Sequence, residues 1–158
     1  MNVSNINIDK IKFTKINNEI IQILYDGNKL EINTSLVNIP FGLEKEYSNY
    51  ILKLEISTEL QYVIESIEKK IDEFLNIEIN TQVRKTKKFL PLLICKIPYK
   101  NNKFFCDAIT KTNEFINIFK LKKNDNLECV IYIDKIWRYK NKYHYKWKVN
   151  KIITNLRL

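Results

Sequence analysis

The residues with the clearest chemical potential are crowded near the end of the chain: Trp137, Arg138, Tyr139, Tyr143, Lys146, Trp147 and Lys148. They mix flat aromatic rings with fixed positive charge. Rings of this kind stack on nucleobases, and ammonium or guanidinium groups neutralise phosphates, so the combination suits a single-stranded polyanion. In the last run Tyr143, Tyr145, Trp147 and Val149 share one parity, and Lys142, His144, Lys146 and Lys148 share the other. A strand sends alternate side chains to opposite faces, which would make a ribbon with an aromatic side and a cationic side. Tyr99 and Phe105 extend the set of candidate stackers, and Arg84, Lys87, Lys88 and Lys103 the set of candidate phosphate contacts. An ordinary edge hairpin has the same pattern, with rings in the core and lysines keeping the edge unpaired. Trp147 shares parity with Val149, and Trp137 with Ile131 and Ile133, so each ring has a core reading beside its groove reading.

Other chemistries lack their parts. One histidine, His144, leaves no paired-His metal site, and its place among lysines favours a surface or groove role over catalysis. Two glycines are too few for a phosphate-cradling or dinucleotide loop. Cys95, Cys106 and Cys129 are widely spaced and flanked by apolar residues, which suggests buried thiols in strands. Asp134 reads as an outward strand residue paired with a nearby base, and Glu65, Glu68, Asp72 and Glu73 as the solvated face of a helix. The expectation is a binding module: not an enzyme, with no cofactor and no metal.

Bulk properties agree. At 158 residues, 45% hydrophobic and 28% charged, a single domain spanning 1–158 is expected, with a loose N-terminus over 1–9 and a short tail over 154–158. No apolar run reaches the roughly 18 residues needed for a bilayer, and the first ten residues lack signal-peptide character. An intracellular protein without a membrane partner is expected. Residues 1–80 carry 8 basic and 13 acidic side chains, a net −5, whereas 81–158 carry 19 and 5, a net +14. That asymmetry points to a polyanion surface built from the second half.

The elements that must position these residues are mostly strands. Short apolar runs at 11–16, 19–25, 30–36 and 50–56 read as strands, with Asp26-Gly27-Asn28 as a hairpin turn and Pro40-Phe41-Gly42 as a break. Leu60, Val63, Ile64, Ile67, Ile71, Phe74 and Leu75 form one helical stripe over 58–76, with Thr58 and Gln61 as a capping box. A polar connection at 78–90, strands at 92–97 and 103–109, an ambiguous apolar element at 115–121 and the aromatic-basic hairpin complete the chain. Mainly β structure with one long helix matches an OB-fold-like, partly open antiparallel Greek-key barrel, with the helix between strands three and four. A helix packed on a generic sheet is the alternative.

The segment Leu36-Val-Asn-Ile-Pro-Phe-Gly-Leu43 resembles a family of OB-fold single-stranded DNA-binding proteins in nucleocytoplasmic large DNA viruses. So do Tyr132-Ile-Asp-Lys-Ile-Trp137 and Tyr145-Lys-Trp-Lys-Val-Asn-Lys-Ile152. That family is similar to the podovirus-type phage proteins. The resemblance covers roughly residues 19–153 and singles out Pro40, Phe41, Gly42, Trp137 and Trp147. It implies sequence-independent coating of single-stranded DNA, or RNA, in viral replication and recombination. It further implies a host-cytoplasm or viral-factory location, with packaging in the virion as a further setting. A homodimer and viral replication or virion proteins are the partners it suggests. Related phage proteins end in an acidic tail with a terminal aromatic; this chain ends Leu156-Arg157-Leu158. The competing function is a structural or virion protein that binds a protein partner, with the apolar 152–158 stretch as its docking element.

Overall fold

A computed structural model describes residues 2–154. The strands before the helix are β1 (Ile11–Lys15), β2 (Ile20–Tyr25), β3 (Asn28–Lys29), β4 (Glu31–Ile39), β5 (Leu43–Glu46) and β6 (Asn49–Glu55). Helix α1 (Thr58–Leu75) follows. After it come β7 (Val83–Arg84), β8 (Leu92–Ile97), β9 (Tyr99–Lys100), β10 (Lys103–Phe104) and β11 (Asp107–Thr110). The chain then adds β12 (Asp125–Tyr132), β13 (Lys135–Tyr139), β14 (Lys142–His144) and β15 (Trp147–Thr154).

Five of these strands close a barrel. β4 pairs with β6, β6 with β8, β8 with β15, β15 with β12, and β12 with β4 again. The β8–β15 seam is parallel and the rest are antiparallel, which is the OB-fold arrangement. Two seams are narrow: β4–β6 is joined at Asn38 and Glu55, and β8–β15 at Trp147 with Cys95 and Lys148 with Lys96. The helix follows the third long strand of the chain, as expected. The first of those three, β2, lies outside the ring, so two ring strands precede the helix and three follow it. β2 instead joins β1, β3, β13 and β14 in a second sheet beside the barrel.

Local sequence accounts for most elements. Asp26 and Gly27 both adopt positive φ, 49° and 80°, giving the two-residue turn between β2 and β3. β4 does not stop at Leu36. Ser35, at φ 59°, makes an irregularity opposite Cys129, whose N–H donates to the Thr34 hydroxyl at 3.1 Å, and the strand resumes to Ile39. Pro40-Phe41-Gly42 then turns the chain. A Cβ on Gly42 (φ +64°) would sit 2.9 Å from the backbone of Lys122 and Lys123, so only glycine fits there.

α1 buries Leu60, Val63, Ile64, Ile67 and Ile71 against the barrel. Its N-cap is Ser57, whose hydroxyl accepts from Leu60 N–H at 3.1 Å, and not a box built on Thr58. Glu68 departs from the solvated acidic face: it is 5% exposed. Its carboxylate accepts from the Thr81 hydroxyl, Gln82 N–H and the Tyr145 hydroxyl, so three donors compensate its burial.

Residues 3–10 are also more ordered than polar composition suggests. They wind into two 3-10 turns, with Val3, Ile6 and Ile8 packed on the core and Lys70 Nζ donating to Ile8 O at 2.8 Å. The strand expected over 103–109 breaks at Phe105 and Cys106, because Phe105 N–H turns back to Pro98 O at 2.8 Å. Cys95 and Cys129 are buried strand thiols as expected, and Cys106 is half-buried in that bend. Residues 115–121 resolve into a bridge at Phe115 and a 3-10 turn over Ile118–Lys120. Residues 155–158 of the expected docking tail lie outside the described residues.

Candidate nucleic-acid interface

Two hairpins rise on either side of one outer face of the barrel. The first, β13–β14, turns at Lys140 and Asn141, both at positive φ (50° and 62°). Arg138 braces it by donating to Asn141 Oδ1 at 3.3 Å and lying 5.8 Å over the Tyr143 ring. Trp137 pairs with Ile20 of β2 on one side and with His144 on the other, and its ring stacks on His144 at 5.7 Å and 27°. The second hairpin, β5–β6, turns at Tyr47, which has φ 58° and is 93% exposed. A bulky residue at positive φ is uncommon, and full exposure of its ring removes packing as the reason.

Between the hairpins lies a groove of about 700 Å³. Ile51 of β6 and Ile94 of β8 contribute apolar lining, and Trp137 and Tyr47 contribute aromatic surface. Its cations are Lys96, Lys135, Arg138, Lys146 and Lys148; Glu19 and Glu46 are the acids at its lining. Lys148 Nζ contacts Asp134 Oδ2 at 3.1 Å. Lys96 sits opposite Lys148 across the parallel seam. Burial pushes the Lys96 ammonium below its usual pKa, and the neighbouring Lys148 and Lys146 charges push it further, with Asp134 opposing. The groove therefore holds more positive charge than its own acids offset, which is an electrostatic preparation for an anion.

Of the sequence candidates, the groove gathers Trp137, Arg138, Lys146 and Lys148. Trp147 is a correction: it is fully buried inside the barrel and unavailable for stacking. Tyr145, Trp147 and Val149 all face the interior, so the aromatic parity of this run is core beyond Tyr143, whereas Lys146 and Lys148 face the groove. Tyr143 is half-buried beneath Arg138, and Tyr139 is exposed with Lys140 Nζ 5.4 Å from its ring centroid; neither lines the groove. Tyr99 is engaged with Tyr50 and Phe104 at 4.9 and 4.7 Å, away from the groove lining. Lys103 and Phe105 are exposed on and just after β10. Arg84, Lys87 and Lys88 are exposed in and after β7, whose Arg84 pairs with Leu92 at the opposite end of β8 from Lys96.

Sequence reasoning missed Tyr47, Lys96 and Lys135. Lys96 had a signal, as the one charged residue in the apolar run 92–97. Tyr47 had none, since its prominence comes from a hairpin turn set by neighbouring pairs. His144 stacks on Trp137 and is itself outside the groove lining. Among the described residues no His, Cys, Asp and Glu cluster could hold a metal ion, and no helix is long and apolar enough to cross a membrane.

No protein-family model matches the chain, and no curated protein does. Solved structures do. The single-stranded DNA-binding protein from bacteriophage Enc34 superposes with a TM-score of 0.58 at 12% identity, over 91% of this chain and 89% of that one. The same phage protein in complex with ssDNA gives 0.56 at 12% identity, over 89% and 92%. Its C-terminal truncation gives 0.54 at 14% identity, over 92% and 93%. The likeness spans nearly the whole of both chains, so this protein shares the OB-like fold of a phage single-stranded DNA-binding protein.

Proposed function

We propose that this protein binds single-stranded DNA without sequence preference, in the groove between the β5–β6 and β13–β14 hairpins. The observation that carries the reading is the cluster Lys96, Lys146 and Lys148, set beside the half-buried Trp137 ring on an OB barrel face. Phosphates would settle on the lysines and Arg138, and a base would stack on Trp137, with Tyr47 reaching over from the other side. The Enc34 protein, whose fold is shared, is one that binds ssDNA. The acidic face of α1 argues against a duplex groove reader, because phosphates would repel it. A viral setting, with a role in replication or recombination, rests on the motifs at Leu36–Leu43 and Tyr132–Ile152, and the large-DNA-virus assignment rests on those motifs alone.

Fluorescence anisotropy of a labelled oligo-dT of about 30 nucleotides tests this, titrated at several salt concentrations with a duplex competitor. Each phosphate contact on a single strand contributes about −0.7 to the slope of log K against log salt, so five groove cations set a limit near −3.5. Lys146→Glu should weaken binding and flatten that slope while leaving the melting temperature in place, whereas Lys148→Glu, which also sets a second carboxylate beside Asp134, should weaken binding and lower the melting temperature. Absence of binding by the native protein at low salt would sink the proposal and redirect the search to a protein partner.

A further inference from the structure

The sheet face that carries the groove continues past Ile94. Lys53 of β6 is the direct cross-strand partner of Ile94, just as Ile51 is of Lys96. Residues two apart on a strand share a face, so Lys53 continues the face that Ile51 begins. Its ammonium lies 5.0 Å from the centroid of Phe41 and 3.3 Å from Glu44 Oε1. Phe41 packs edge-on against Phe89, with centroids 5.2 Å apart at 65°. Lys88 Nζ in turn lies 5.7 Å from the Phe89 centroid. A contiguous series thus runs from the lysine cluster through Ile94 and Lys53 to a pair of half-buried phenyl rings.

Both rings are held by local structure. Phe41 sits in the turn that Gly42 presses onto the backbone of Lys122 and Lys123. Phe89 is fixed by a small loop in which its N–H donates to the Thr86 hydroxyl at 3.0 Å. Around it Arg84, Lys87 and Lys88 are exposed, and among the described residues none of them makes an ion pair. From Lys96 to Leu92, opposite Arg84, the track along β8 is about 13 Å at roughly 3.3 Å per residue.

We propose that Phe41 and Phe89, flanked by Lys53, Lys88 and Arg84, form a second stacking subsite that takes the continuation of the same single strand. This rests on the groove being the primary site. Lys88 and Arg84, which make no ion pair among the described residues, stand beside partly exposed rings and match a nucleotide's phosphate and base together, whereas an apolar peptide would leave those charges unused. The subsite lengthens the footprint within the range of about 4–16 nucleotides that one OB fold covers.

The test compares competition by dT5 and dT15 against a labelled dT15, for the native protein, Phe89→Ala and Lys88→Glu, each checked by thermal melting. Phe89→Ala should weaken dT15 about fivefold or more and dT5 less than twofold, since stacking is worth about 1–3 kcal/mol per base. Lys88→Glu should show the same length dependence and lower the dT15 salt slope. Unchanged dT15 affinity in both variants overturns the subsite and leaves the groove standing. Equal loss on dT5 and dT15 also overturns it, because the ring then acts on the primary site. Failure of the native protein to bind either oligomer removes the groove reading itself, and the subsite with it.

Discussion

Asp134→Asn should tighten DNA binding. The Asp134 carboxylate sits in the link between β12 and β13, with Oδ2 3.1 Å from Lys148 Nζ. Its Oδ1 is buried without a hydrogen-bond partner among the described residues. A phosphate landing on the other side of that ammonium would stand roughly 6 Å from the carboxylate. Two like charges at that separation repel by about 0.7 kcal/mol in bulk water and about 2.8 kcal/mol at an effective dielectric of 20. The pair is partly exposed, with side-chain accessibilities of 20% and 38%, so the lower part of this range applies. About 1 kcal/mol corresponds to roughly a fivefold gain in affinity. Lys148 already counts among the five groove contacts, so the salt slope should stay near its native value. The amide is isosteric and the ion pair contributes at most about 1 kcal/mol to folding, so the melting temperature should fall by only a few degrees. Anisotropy titrations of both proteins across a salt series read affinity and slope together. A variant that binds more weakly would refute the competition argument and make Asp134 a positioner of Lys148.

The two tryptophans should separate cleanly. Trp137→Ala should cost about 1–3 kcal/mol of binding at near-native stability, whereas Trp147→Ala should cost about 3–5 kcal/mol of folding, read by melting and titration side by side. Alkaline pH should weaken binding as Lys96 deprotonates below the ordinary lysine range. Because bound phosphate favours its charged form, calorimetry in buffers of different ionisation enthalpy should show proton uptake on binding at that pH. Tyr145→Phe removes a donor to the buried Glu68 carboxylate and should cost about 1–3 kcal/mol of stability in chemical denaturation.

Much of the fold is legible in the sequence because its signals are local. The stripe Leu60 to Ile71 predicts a helix whatever it packs on, and Asp26-Gly27 predicts a hairpin because few residues tolerate its φ values. Errors arise where long-range contacts override local pattern. Glu68 looks like one of several surface acids, and only the approach of Thr81, Gln82 and Tyr145 makes it a buried anchor. The N-terminal residues are polar in composition, yet Val3, Ile6 and Ile8 find the core.

The candidate site divides along the same line. By itself the chain determines that Lys142, Lys146 and Lys148 alternate with Tyr143, Tyr145 and Trp147, that positive charge gathers in its second half, and that it has one histidine and two glycines. Alternation defines two faces of a strand but not which of them is interior. Closure of the barrel decides that Trp147 and Tyr145 point inward while Lys146 and Lys148 point out, and that Trp137, on a hairpin beyond the ring, stays at the groove. The parallel seam between β8 and β15 brings Lys96 opposite Lys148, and the β5–β6 turn sets Tyr47 across from Trp137. Such meetings join segments far apart in the chain, so they depend on how strands pair and close, which no local window of residues contains.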